Sequence, residues 1–66
     1  MKIVVNGEIR ELESPVTVSG LLADLALEPR KIAVERNLEI VPKSAFATTD
    51  LADGDRLEIV QFVGGG

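Results

Sequence analysis

Apolar and polar residues alternate first at the period of a strand and then at the period of a helix. Lys2 to Val5 is a β-branched run, and Glu8-Ile9-Arg10-Glu11-Leu12 alternates polar with apolar. Between them stands Asn6-Gly7, two residues that tolerate the positive φ of a type I′ turn, so the pair predicts an antiparallel hairpin. Glu13-Ser14-Pro15 breaks the strand pattern. From there the period changes. Val18, Leu21, Leu22 and Leu25 recur at i, i+3, i+4 and i+7, which places them on one face of a helix. Thr17 is positioned to cap that helix through its hydroxyl. Pro29 disfavours helical backbone at Glu28, so the helix is predicted to end near Leu27. Gly20 falls in the first turn, and close packing on a sheet is the expected reason for it.

The strand period then returns. Across Lys31 to Arg36, Ile32 and Val34 share one face while Ala33 and Glu35 share the other. Asn37-Leu38 predicts a tight turn before a short strand, Glu39-Ile40-Val41, which Pro42 ends. Asn37 suits positive φ and Leu38 does not, so this turn is expected to be strained or not of type I′. Lys43 to Thr49 has no clean period; Ala45, Phe46 and Ala47 predict one helical turn that plugs an edge of the core. Asp53-Gly54-Asp55 is a turn, with Gly54 at the left-handed position. Arg56 to Val63 is the last strand, with Leu57 and Ile59 on one side and Glu58, Val60 and Phe62 on the other.

A mixed sheet of five strands with one helix packed on one face is an α+β, two-layer design. Strands one and five are the most apolar and should pair centrally. The helix should then cross the sheet, with Val18, Leu21, Leu22 and Leu25 against Ile3, Val5, Ile32, Val34, Leu57 and Ile59. That order is the β-grasp (ubiquitin-like) arrangement. It predicts a domain over residues 1–63 and a flexible glycine tail over residues 64–66.

Composition narrows the chemistry. A chain of 66 residues buries only about 60% of the surface its unfolded form exposes, which leaves no room for a deep substrate pocket. Eleven acidic against seven basic residues give a formal charge of −4, which argues against nucleic acid as a partner. The same charge keeps a small domain soluble and mildly favours basic partners. With no cysteine and no histidine, the chain lacks disulfides, thiolate chemistry and the commonest general base. Glu35 with Glu39, and Asp53 with Asp55, read as solvated strand and turn residues rather than a catalytic pair. No metal site is expected. No apolar run approaches the roughly 20 residues that span a bilayer. Met1 to Asn6 turns polar too soon for a signal peptide, so a cytoplasmic setting is expected.

The tail is the remaining feature. Phe62-Val63-Gly64-Gly65-Gly66 carries a strand pattern straight into three glycines. Glycine has no Cβ, so such an arm is thin and lets another protein close around it. Its chemical handle is the α-carboxylate of Gly66. The competing reading is a frayed end or an expression scar. Val4, Val60 and Phe62 are expected on the sheet face away from the helix, as one apolar patch for a docking partner beside the arm.

Three stretches resemble a known family. Val34-Glu35-Arg36-Asn37 with Glu39-Ile40-Val41-Pro42, then Leu51-Ala52-Asp53-Gly54-Asp55, then Phe62-Val63-Gly64-Gly65-Gly66 are similar to the ThiS-type sulfur carriers of thiamin biosynthesis. The resemblance covers the whole chain and departs at Leu38, where many members carry a small or polar residue. It implies a carrier rather than an enzyme. A partner adenylyltransferase would use ATP and Mg2+ to activate Gly66. A sulfur donor system such as a cysteine desulfurase would supply the sulfur, and a thiazole synthase would receive it. Gly66 would then be the reacting residue, and Gly65, Gly64, Val63, Phe62, Val60 and Val4 the partner-binding ones. The chain itself would bind no cofactor. Two further readings stay open: the small subunit of molybdopterin synthase, and a non-covalent β-grasp binding module that needs no free glycine end.

Overall fold

The computed structural model describes residues 1–62. The chain runs β1 (Lys2–Val5), β2 (Glu8–Glu11), α1 (Val18–Asp24), β3 (Ile32–Arg36), β4 (Glu39–Val41) and β5 (Arg56–Gln61). Two 3₁₀ turns, Pro29–Lys31 and Lys43–Ala45, sit before β3 and after β4. The five strands form one sheet in the order β2-β1-β5-β3-β4. β1 and β5 run parallel, and the other three pairings are antiparallel. This is the β-grasp order that the hydrophobic pattern predicts, with the last strand in the middle of the sheet.

Both hairpins use the turn chemistry read from sequence. Asn6 and Gly7 have φ of 49° and 83°, and Asn37 and Leu38 have φ of 51° and 71°. The second turn is therefore built like the first, with a leucine in a conformation that favours glycine. At such a position a side chain costs about 1–2 kcal/mol. Leu38 recovers none of this by burial, since it is 87% exposed.

The helix face is as its spacing predicts. Val18, Leu21 and Leu22 are fully buried against Ile3, Val5, Ile32, Val34 and Leu57, with Ile59 and Leu25 half-buried at the margin. Val41, Phe46 and Leu51 complete the core. Phe46 follows the second 3₁₀ turn, as the plug reading expects. The long β4–β5 connection is stitched to the start of α1. The Val18 and Ser19 amides, which a helix leaves without internal partners, donate to the carbonyls of Thr49 and Phe46 at 3.0 and 2.9 Å. Thr17 caps the same end: its Oγ1 accepts from the Gly20 amide at 3.1 Å.

Two local expectations need correction. The helix ends at Asp24, not near Leu27, because Ala26 takes a left-handed φ of 57°. The Leu27 amide then donates to the Leu22 carbonyl and the Ala26 amide to the Ala23 carbonyl, at 2.9 and 3.0 Å. This is the Schellman closure, and it turns Leu27 back onto the core. Pro29 lies beyond that stop and does not cause it. Gly20 does not pack on the sheet either. It is exposed, and a Cβ there would stand 3.0 Å from Val16 Cγ2.

Glycine is the usual residue where Ala26 stands. Ala26→Gly should raise stability by about 0.5–1 kcal/mol, the relief of the left-handed backbone less the added freedom of the unfolded chain. Thermal melting checks this, with Ala23→Gly, in the helix itself, as the control that should lose about 1 kcal/mol. A lower melting temperature for Ala26→Gly would contradict the capping assignment.

Candidate functional site

β5 leads into the C-terminal arm to which the sequence points. The main-chain amide of Phe62 donates to the Lys31 carbonyl at 2.7 Å, which extends the β3–β5 ladder one residue past β5. The Phe62 ring lies under the Lys43 ammonium, with Nζ 5.4 Å from the ring centroid. Val63, Gly64, Gly65 and Gly66, and with them the predicted domain boundary, lie outside the described residues.

β5 is tied down on both sides by the asparagines of the two hairpin turns. β1 stops at Val5, and Asn6 continues its edge with a side chain. Its Oδ1 accepts from the Ile59 amide at 2.8 Å and its Nδ2 donates to the Ile59 carbonyl at 3.2 Å. On the other side, Asn37 Oδ1 accepts from the Arg56 amide at 2.9 Å, and the Asn37 amide donates to the Arg56 carbonyl at 2.7 Å.

Asp55 closes this arrangement, and sequence reasoning missed it. It is buried, not solvated, with 6% of its surface exposed. Its Oδ2 accepts from Arg36 Nε and the Ala52 amide, both at 2.8 Å, and its Oδ1 from Asn37 Nδ2 at 3.1 Å. Its carbonyl accepts from the Val4 amide at 2.9 Å. Burial pushes the Asp55 carboxyl pKa up, but the hydrogen bonds from Arg36, Ala52 and Asn37 together outweigh it and hold it below the ordinary range. Asp53 is exposed, as expected, and its Oδ1 accepts from the Lys2 amide at 2.7 Å.

The outer face of the sheet carries the predicted docking residues. Val4 is half-buried, and Val60 and Phe62 are 58% and 51% exposed. They share a face but do not form one patch. Val4 stands beside Arg56 at the start of β5, whereas Val60 stands opposite Ala33, four residues further along. Glu58 lies between them on the same face. Single-strand alternation gives the face correctly; the β1–β5 register, which separates the residues along it, is set by long-range pairing. Ile9 and Ile40 add exposed apolar surface on the outer strands, each paired to an outer-face residue, Val4 and Glu35.

Asp55 accepts from three donors, so an amide in its place sets a donor against a donor. Asp55→Asn should cost about 2 kcal/mol at neutral pH. The pH dependence follows from the depressed pKa. The unfolded chain binds a proton near pH 3.9 and the folded chain only at lower pH, so the stability due to ionised Asp55 is full above that range. It is lost as pH falls through the folded value. The gap between wild type and Asp55→Asn in denaturant melts should be full at pH 7 and shrink below about pH 4. A gap that does not change with pH would contradict the network.

Comparison with known proteins agrees with the fold and reaches into the arm. The ThiS family model matches residues 3–66. A thiazole synthase of Paramagnetospirillum magneticum is 58% identical over 66 residues, the whole of this chain and 20% of that protein. The chain thus spans one fifth of that relative's length. The sulfur carrier protein ThiS of Bacillus subtilis is 48% identical over 50 residues, 76% of each chain. The crystal structure of a thiamine biosynthesis protein (ThiS) from Geobacter metallireducens superposes with a TM-score of 0.84 at 33% identity, covering 100% of both chains. Sheet order, whole-length superposition and a family match that includes all three glycines lead to one assignment: the chain belongs to the ThiS family.

Proposed function

We propose that this chain is a sulfur carrier in thiamin biosynthesis and that the Gly66 carboxylate is its reacting group. A carboxylate resists nucleophiles because it is anionic and its leaving group would be oxide. A partner adenylyltransferase, using ATP and Mg2+, joins a carboxylate oxygen to the α-phosphorus of ATP, and pyrophosphate leaves. A donor system such as a cysteine desulfurase carries the sulfur as a persulfide. A thiol reduces that persulfide, is itself oxidised to a disulfide, and releases hydrosulfide, which attacks the acyl carbon as AMP leaves with the bonding pair. The product is a thiocarboxylate, anionic at neutral pH and a soft nucleophile in the way a thiolate is. It passes sulfur to a thiazole synthase. The chain supplies no catalytic group to these steps; it supplies an end thin enough for partner sites and a rigid root behind it.

The observation that carries this reading is that the family match runs through residue 66, so the glycines belong to the matched pattern. The identity with a region of a thiazole synthase supports delivery to a thiazole rather than to a pterin. The structure supports the mechanical part. β5 is flanked by β1 and β3, and hydrogen bonds hold its main chain from Asp55 to Phe62.

Gly65→Val keeps the carboxylate and adds a branched Cβ one residue before the reacting carbon. Valine restricts the backbone and widens the arm, and a misplacement near 1 Å costs about 100-fold in rate. ATP–pyrophosphate exchange with the cognate adenylyltransferase should fall by about that factor, with a melting curve within about 0.5 kcal/mol of wild type. Exchange at the wild-type rate would overturn the proposal.

A further inference from the structure

At the far end of β5 from the arm, the outer face holds a concavity of about 300 Å³ between the two hairpin turns. Val4, Leu38, Glu35, Glu58 and Arg56 line it. Two unfavourable features meet there. Leu38 is exposed in a left-handed backbone conformation that glycine or asparagine would occupy with less strain. Glu35 stands directly opposite Glu58 across β3 and β5, with Cβ atoms about 5 Å apart in such a pair, and like charges so placed repel. Among the described residues, the ion pairs within 4.0 Å are Arg30–Glu28 and Arg36–Asp55, so neither glutamate is neutralised by one, although Arg56 lies in the same concavity.

We propose that this concavity is a docking site for the thiazole synthase, which inserts an apolar side chain against Leu38 and Val4 and a neighbouring Lys or Arg between Glu35 and Glu58. That occupant covers the exposed apolar surface of Leu38, which offsets the cost of its backbone conformation, and gives the two carboxylates a cation. The net charge of −4 favours a basic surface in the same sense. The synthase is the occupant because, in the Paramagnetospirillum protein, a region matching this whole chain and a thiazole synthase share one polypeptide. The geometry suits it. Six residues of strand separate Arg56 from Phe62, about 20 Å, so a partner seated in the concavity spans the sheet while the arm reaches its active site.

The inference rests on the sulfur carrier reading, and binding of the purified chain to its cognate thiazole synthase, measured calorimetrically, separates the two. Leu38→Gly should melt no lower than wild type, because the strain is removed, yet raise the Kd about tenfold or more. Glu58→Gln should likewise not lower the melting temperature, weaken binding, and flatten its dependence on salt. Ala26→Gly, remote from this face, should bind like wild type. Wild-type affinity in both Leu38→Gly and Glu58→Gln would overturn the docking site while leaving the carrier reading intact. Failure of the wild-type chain itself to bind would overturn delivery to the synthase, and the site with it.

Discussion

Asp55 fixes where β5 begins, and the rest of the sheet is registered on that strand. Its carbonyl takes the Val4 amide of β1, and its carboxylate takes Arg36 and Asn37 at the end of β3 and the amide of Ala52 in its own loop. One residue thus sets the parallel and antiparallel registers together. In a chain this small the hydrophobic core alone supplies only a few kcal/mol, so a buried acceptor with three donors is a substantial share of what holds the sheet in one register. The proposed delivery of the arm requires a root that does not slip, and a strand gripped by Asn6 on one side and Asn37 on the other provides one.

Most of the fold was legible because it rests on local rules. Two-residue alternation gave β2, β3 and β5, a β-branched run gave β1, a turn signal and Pro42 gave β4, and the i, i+3, i+4, i+7 spacing gave the buried face of the helix. Asn6-Gly7 gave the first hairpin without ambiguity. What could not be read depends on contacts between distant segments or on conformations that a residue adopts against its preference. Ala26 ends the helix in a glycine-like conformation, and alanine carries no signal of that. Asp55 lies next to a turn glycine, where aspartate is usually solvated; the approach of Arg36 and Asn37, nineteen and eighteen positions earlier, together with the Ala52 amide, makes it a buried acceptor. The separation of Val4 from Val60 follows from the β1–β5 register, which no single-strand pattern contains.

The candidate site was read more from its exposed end than from its support. The three stretches that carry the family resemblance have different tasks. Arg36, Asn37 and Asp55 hold the scaffold, and Phe62 extends the sheet ladder one residue towards the glycines. Family likeness therefore marks residues that keep β5 in place as well as those proposed to react. The outer face divides in the same way, into an apolar end beside the arm at Val60 and Phe62 and a charged concavity at Leu38, Glu35 and Glu58.

The central claim is chemical: the end of this chain is converted from a carboxylate to a thiocarboxylate. Intact mass spectrometry tests it most directly, on the chain incubated with its cognate adenylyltransferase, ATP, Mg2+ and a sulfide source. The expected result is a mass gain equal to the exchange of one oxygen for one sulfur, confined to the C-terminal peptide and absent without ATP. An unchanged mass, with the chain folded and the adenylyltransferase active, would contradict it.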